Sequence, residues 1–206
     1  RGVKAVGDEG WDDTGPTIIV ECQPLPFQER AHYYRDGLNV IIPSVRRTPP
    51  EMLSPRTKTH NYLNLVMADL EVQAQDPGAW AILLDHNGNL CEGLGSNLFL
   101  VKNGRLLTPR AQYVLAGISR GTVIDLAEQL GIACEERDLD LYDAYTADEI
   151  FVTSTSFCIC PVRSINGNKA AQDAIPGEIT QQLLSAYSTL VDCDIVAQYL
   201  RHLKPE

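Results

Sequence analysis

Residues 80–107 read WAILLDHNGNLCEGLGSNLFLVKNGRLL, and this stretch decides the fold. Its apolar runs are separated by two Asn-Gly pairs, Asn87-Gly88 and Asn103-Gly104. Asn-Gly is the strongest short-range hairpin signal, because both central residues of the favoured two-residue turn need a positive φ. The stretch therefore predicts antiparallel strands joined by tight turns.

Helical patterns lie on both sides of these hairpins. Upstream, apolar residues recur at helical spacing from Tyr62 to Ala74, and Pro77-Gly78 ends that helix. Downstream, the sequence predicts a helix over 119–131, strands over 149–153 and 158–162, and a helix after Pro176-Gly177. Hairpins interleaved with helices indicate a mixed α/β (α+β) sheet protein.

The start of the chain has a different character. Thr17–Cys22 is β-branched and apolar and predicts a strand, and Pro24 and Pro26 after it are typical of a stiff connector. We therefore expect a domain boundary near residue 24.

Charge and composition exclude several classes of protein. The 206 residues carry 27 acidic and 17 basic groups, a net charge of −10, which disfavours binding to nucleic acid or anionic lipid. No apolar run is long enough to span a bilayer, and no leader opens the chain. The six cysteines lack the paired C-x-x-C spacing of a zinc site, so we expect no metal and reduced thiols in a cytoplasmic protein.

One motif suggests a serine hydrolase. Gly117-Ile118-Ser119-Arg120-Gly121 matches the G-x-S-x-G nucleophile elbow, and Asp148 and His202 follow in the order that such a triad requires. Two features weaken this alternative: His202 lies in a polar C-terminal tail, and no glycine-rich oxyanion segment precedes the serine.

The same residues also suit an anion site. Ser119 is expected to be the N-cap of its helix, with the free N–H groups of residues 118–121 available to a phosphate. The hydroxyl residues Thr153-Ser154-Thr155-Ser156 follow at the end of a predicted strand and are a second set of donors for phosphate or carboxylate oxygens.

Two charged residues complete the candidates. Lys58 lies between a proline-rich segment and the first helix, and a lysine in a partly apolar site can form a Schiff base with a carbonyl. Glu92 precedes Gly93-x-Gly95, where a carboxylate could hold a protonated ring nitrogen or simply be a charge at a hairpin end.

Together these motifs resemble the fold-type IV enzymes that use pyridoxal 5′-phosphate (PLP). This family includes branched-chain and D-amino-acid aminotransferases, (R)-selective amine transaminases and aminodeoxychorismate lyase. The resemblance runs from about Arg1 to the last helix and so covers nearly the whole chain. The segments that carry it are Lys58-Thr-His-Asn-Tyr-Leu-Asn64, Glu92-Gly-Leu-Gly-Ser-Asn-Leu-Phe99, Leu107-Thr-Pro109, Leu115-Ala-Gly-Ile-Ser-Arg120, Asp148-Glu-Ile-Phe-Val-Thr-Ser-Thr155 and Pro161-Val162.

The resemblance implies a role for each matching residue. Lys58 would form the Schiff base with PLP and carry the proton between Cα and the cofactor, and Glu92 would keep the pyridine nitrogen protonated. The other implied cofactor contacts are Tyr62 at the ring oxygen, Leu115 on the ring face, and Gly117, Ile118, Ser119, Ser154 and Thr155 around the phosphate. Ser156, Phe157 and Arg1 would border the substrate, with Phe157 narrowing its pocket.

The resemblance also implies a domain organisation and an assembly. We expect residues 1–23 to be the remnant of a small N-terminal domain, largely missing here, and 24–30 to be a linker. Residues 31–206 would form the PLP-binding large domain, with hairpin-rich sheets in a pseudo-barrel surrounded by helices. Without the small domain, weak cofactor retention is expected. A homodimer is implied by the same resemblance.

The implied function is PLP-dependent transamination by a ping-pong mechanism, from an amino acid or an amine to a 2-keto acid. Tyr62-Leu63-Asn64 is similar to the branched-chain enzymes, whereas the run Val45–Pro50 is more similar to the amine transaminases. The alternatives are the serine hydrolase, a non-catalytic remnant of the fold and, within the family, aminodeoxychorismate lyase.

Overall fold

A mixed sheet of eight strands forms the centre of the computed structural model, which describes residues 18–172 and 174–203. The strands are β1 (Leu38–Ile41), β2 (Trp80–Ala81), β3 (Asn97–Lys102), β4 (Arg105–Pro109), β5 (Cys134–Arg137), β6 (Glu149–Ser154), β7 (Cys158–Ile165) and β8 (Asn168–Lys169). The helices are α1 (Phe27–Asp36), α2 (Leu63–Gln75), α3 (Ile118–Gln129), α4 (Leu141–Tyr145), α5 (Glu178–Leu190) and α6 (Ile195–Leu200).

The strand order is β2-β1-β7-β6-β3-β4-β5, and β8 pairs with β7. The pairs β3/β4, β3/β6, β6/β7 and β7/β8 are antiparallel, whereas β1/β2, β1/β7 and β4/β5 are parallel. This arrangement confirms the predicted mixed α/β class.

The two predicted hairpins differ in the structure. Asn103 and Gly104 both have positive φ, 50° and 73°, and join β3 to β4 as predicted. At the first pair only Gly88 has a positive φ, and a single bridge between Leu84 and Leu90 replaces the expected strands. The cause is Asp85, whose carboxylate accepts hydrogen bonds from the backbone N–H groups two and four residues later and closes a wider loop.

Both faces of the sheet are buried under apolar clusters. Successive strand residues point to opposite faces, so a single strand contributes side chains to both clusters. In β3, Leu98 and Leu100 belong to one apolar cluster, whereas Phe99 and Val101 belong to a second cluster that α3 and α5 cover. The sheet therefore has a packed layer on each side, and its loops carry the remaining polar groups.

The start of the described chain departs from prediction. The strand expected over Thr17–Cys22 is wrong for 18–22: these residues form no strand, and Ile18–Val20 are exposed because none of the described strands pairs with them. Helix α1 begins at Phe27, inside the range expected to be linker, and packs against α6. Within the described residues, no helix combines the length and apolarity needed to cross a membrane.

Candidate active site

A cavity of about 230 Å³ lies where the start of β3, the end of β6 and the start of α3 meet. Asn97 on β3 pairs with Thr153 on β6, so the antiparallel register places the 92–97 turn beside the hydroxyl run that follows β6. The nine residues predicted to contact the cofactor all line this cavity: Lys58, Tyr62, Glu92, Leu115, Gly117, Ile118, Ser119, Ser154 and Thr155.

Lys58 and Tyr62 form the outer wall of the cavity. Lys58 Nζ donates a hydrogen bond to Tyr62 Oη at 3.1 Å and lies 5.8 Å from the centre of the Tyr62 ring. Lys58 is exposed, in a segment over 54–62 that forms neither helix nor strand before α2 begins. The cavity that Lys58 lines is also lined by the apolar side chains of Leu53 and Leu65.

Glu92 lies at the inner wall and is only 5% exposed. Its Oε1 accepts a hydrogen bond from Arg47 Nε at 3.0 Å, and its Oε2 accepts one from the Leu115 N–H at 2.9 Å. Burial raises the pKa of the Glu92 carboxyl, while the Leu115 hydrogen bond and the Arg47 guanidinium act in the opposite direction. The result is a buried carboxylate whose two oxygens are both held in place.

Sequence reasoning missed Arg47, whose side chain is 11% exposed. The first turn of α2 positions it, because Asn64 accepts a hydrogen bond from Thr48 N at 3.1 Å and donates one to Arg46 O at 2.7 Å. The Arg47 N–H donates to Leu84 O at 2.9 Å. The backbone on both sides of Arg47 is therefore fixed. The available signal in the sequence was that this arginine lies beside a proline-rich segment and outside any periodic apolar pattern.

The start of α3 forms a third part of the cavity wall. The prediction that Ser119 is the N-cap is wrong: Gly117 takes that position, Ser119 lies inside the first turn, and no side chain of the described residues caps the helix. A Cβ on Gly117 would lie 2.3 Å from Asn97 Oδ1, so only glycine lets the helix start approach β3 this closely. The backbone N–H groups of residues 118–120 remain available to an anion, whereas that of Gly121, also expected to be free, donates to Gly117 O at 2.9 Å as the first hydrogen bond of the helix.

Hydroxyl groups surround this helix start. Ser119 is buried, and its Oγ accepts a hydrogen bond from the hydroxyl of Tyr187 on α5 at 3.5 Å, a contact that sequence reasoning missed. Ser154 Oγ accepts a hydrogen bond from Phe157 N at 3.1 Å and thereby holds the β6–β7 turn. Thr155 is exposed and lines the cavity.

Two residues expected at the substrate, Ser156 and Phe157, do not line this cavity. Ser156 Oγ accepts a hydrogen bond from Arg30 Nη1 at 2.8 Å, outside the cavity lining. Phe157 is fully buried in the core against Trp80, so its placement does not support a role in narrowing the pocket. Arg1 lies outside the described residues.

The contacts of Asp148 and His202, the other two members of the possible triad, give no support to the hydrolase alternative. Asp148 lies 3.7 Å from Lys102 Nζ and accepts a hydrogen bond from the Asn103 N–H, and His202 stacks on Phe27 with ring centres 5.0 Å apart. A nucleophile elbow also needs a strand directly before the turn, and residues 110–117 form none.

Comparison with known proteins gives a consistent result. The family model described as amino-transferase class IV matches residues 3–165. A putative branched-chain-amino-acid aminotransferase of Methanocaldococcus jannaschii is 42% identical over 192 residues, which cover 91% of this chain and 64% of that protein.

Solved structures share the fold. The branched-chain amino acid aminotransferase of Escherichia coli matches with a TM-score of 0.73 at 34% identity, over 77% of this chain and 53% of that one. The enzyme of Thermobaculum terrenum, solved in its PLP form, matches with a TM-score of 0.71 at 34% identity, over 85% of this chain and 57% of that one. The chain thus spans less than two thirds of the length of these relatives. By motif order, cavity and similarity alike, the chain belongs to the class IV aminotransferase family.

Proposed function

We propose that this protein uses PLP to transfer an amino group from an amino acid to a 2-keto acid in a ping-pong cycle. The observation that carries the proposal is the cavity itself. It unites a lysine amine, a buried carboxylate and an uncapped helix N-terminus, the three features that the aldehyde, ring nitrogen and phosphate of PLP require.

The donor set fits this cofactor. The N–H groups at the start of α3 and the nearby hydroxyls suit a phosphate, because they present donors and the positive end of a helix dipole. Glu92 has further lone pairs beyond its two hydrogen bonds, so it can accept a third from a ring N–H. Leu115 would pack on the ring face between these two groups.

Lys58 would hold the cofactor covalently and move the proton of the substrate Cα. When bound, PLP supplies an aldehyde that takes up the donor's amino group and a ring that accepts the electron pair released at Cα. The Tyr62 hydroxyl, 3.1 Å from Lys58 Nζ, positions the amine for both tasks.

Glu92 would keep a proton on the ring nitrogen, which strengthens the ring as an electron acceptor. Arg47 acts through Glu92: its guanidinium favours the ionised form of the buried carboxyl and fixes the position of Oε1. Asn64 in turn fixes the backbone on both sides of Arg47.

An apolar amino acid is the donor class that the cavity favours. Leu53, Leu65 and Leu94 line it together with Leu115, and the similar proteins named above are branched-chain enzymes. We propose a branched-chain amino acid as the donor.

The assembly and organisation follow the same reasoning. An exposed apolar stripe at helical spacing on α2 is formed by Leu63, Val66, Met67 and Leu70. It supports burial of this face in a homodimer.

The six cysteines are free thiols, which supports a cytoplasmic location. We propose that the PLP-binding domain expected over 31–206 also includes the start of α1 from Phe27, which packs against α6, and that 1–23 belong to a separate small domain.

Transfer assays with a panel of donors test the proposal. With PLP and 2-oxoglutarate added, leucine, isoleucine and valine should be faster donors than D-alanine or an aryl-alkyl amine, and Lys58→Ala should abolish transfer. A preference for the D-amino acid or the amine would contradict the donor class. Bound PLP without transfer from any of these donors would contradict transamination.

A further inference from the structure

The hydroxyl of Thr153 has an unusual environment. Thr153 is 1% exposed, and its Oγ1 is buried without a hydrogen-bond partner in residues 18–172 and 174–203. Two other buried threonines contrast with it: Thr108 Oγ1 donates to Leu98 O at 2.8 Å, and Thr180 Oγ1 donates to Glu149 at 2.7 Å. Since a buried polar group without a partner is costly, a partner beyond these described residues is expected for Thr153.

The sheet register determines which way Thr153 faces. It pairs directly with Asn97 on β3, and residues paired across antiparallel strands have their side chains on the same face. The Asn97 side chain donates to Leu115 O at 2.9 Å and lies against Gly117. Thr153 therefore faces the segment that opens α3, and it lines the cavity with that segment.

The groups around Thr153 indicate the kind of ligand. The first turn of α3 presents N–H donors, and Ser119 accepts from Tyr187, so its own hydroxyl hydrogen remains free to donate. Ser154, next in sequence, already uses its oxygen to hold the β6–β7 turn. Several donors that converge on one place suit the oxygens of an anion.

We infer that Thr153 donates its hydroxyl hydrogen to a phosphate oxygen of the cofactor. This inference rests on the proposed function and adds a buried donor to the cup formed by Ser119 and Thr155. Thr153 would contact the inner side of the phosphate, because it is buried whereas Thr155 is exposed.

Thr153→Val tests the inference, because valine keeps the shape of the side chain and removes the hydroxyl. Absorbance titrations would give the dissociation constants of PLP and of pyridoxal, which lacks the phosphate. We expect Thr153→Val to weaken PLP binding by about tenfold or more and to leave pyridoxal binding unchanged. Thr153→Ser, which keeps a hydroxyl, should bind PLP nearly as the natural protein does.

Melting of the cofactor-free protein separates this role from a structural one. Thr153→Val should melt at the same temperature as the natural protein or higher, because it removes an unpartnered buried hydroxyl. Thr108→Val is the matched control: it should lower the melting temperature and leave the ratio of the PLP and pyridoxal constants unchanged.

Each other outcome overturns the inference. Equal weakening of PLP and pyridoxal, or unchanged PLP binding, by Thr153→Val would show that Thr153 does not contact the phosphate. A lower melting temperature of cofactor-free Thr153→Val would show that the Thr153 hydroxyl has a hydrogen-bond partner within the folded chain. If the natural protein binds neither PLP nor pyridoxal, the proposed function fails and this inference fails with it.

Discussion

Glu92 uses both of its carboxylate oxygens before any ligand arrives. A buried ion pair is costly to desolvate, and the hydrogen bonds from Arg47 and from the Leu115 N–H offset that cost. The ion pair with Arg47 does not by itself explain why this carboxylate is buried. We therefore assign to Glu92 a third contact, with the ring nitrogen of the cofactor.

Glu92→Gln removes the charge and keeps the size of the side chain. We expect the turnover number to fall by about 100-fold or more, since the neutral amide cannot keep a proton on the ring nitrogen. The dissociation constant of PLP should change far less, because Lys58 and the phosphate cup remain. Steady-state kinetics and absorbance titration measure the two quantities, and equal loss in both would argue against the role.

The pH profile gives Glu92 a second signature. Burial raises its pKa, so on acidification it takes up a proton in the folded protein before it would in the unfolded chain. In the cofactor-free protein, its contribution to stability therefore grows as pH falls through the raised pKa. Thermal melting of the cofactor-free protein measures this effect: the natural protein should gain melting temperature relative to Glu92→Gln on acidification, and an unchanged difference would contradict the raised pKa.

At the scale of the element, we assign binding of the cofactor phosphate to the start of α3. In Gly117→Ala the new Cβ would lie 2.3 Å from Asn97 Oδ1, so the helix start or Asn97 must move. We expect weaker PLP binding in a titration and a lower melting temperature.

Gly121→Ala is the matched control in the same helix. No atom lies within 4 Å of the Cβ that would be added there, and alanine favours a helix over glycine by up to about 1 kcal/mol. This variant should be as stable as the natural protein or more so, with unchanged PLP affinity. Equal effects of the two substitutions would refute a special role for the helix start.

Elements with a strong local pattern could be predicted from the sequence. The helical spacing of α2 and α3, the Asn103-Gly104 turn and the strands β6 and β7 all carry their signal within a few residues. Short elements were missed, although Asp140 and Asp194 are the N-caps of α4 and α6 and their side chains accept hydrogen bonds from the first turns. Strand β5, Cys-Glu-Glu-Arg at the edge of the sheet, has no apolar alternation to show.

The candidate site likewise contains residues that the sequence predicts and contacts that it does not. Lys58 and Glu92 could be predicted because ordered motifs surround them. The contact of Arg47 with Glu92 joins residues 45 positions apart, and that of Tyr187 with Ser119 joins residues 68 apart. Such contacts depend on how the sheet brings loops together, so single-sequence patterns could not supply them.

At the scale of the whole molecule, the exposed stripe on α2 predicts an assembly. Leu70, the last residue of this stripe, is 64% exposed, and Leu70→Glu should convert a dimer to a monomer because a charge cannot be buried there unpaired. Light scattering coupled to size exclusion measures the mass. Leu190→Glu, at a 61% exposed position on α5, is the control and should remain dimeric. A natural protein that is monomeric at all concentrations would contradict the assignment.

The most direct test of the account asks which amine the cofactor bonds to. The PLP-loaded protein would be reduced with sodium borohydride, digested and mapped by mass spectrometry. We predict a single phosphopyridoxyl label, on the peptide that contains Lys58. A label on any other lysine, or no label after reduction of a protein that binds PLP, would contradict the account.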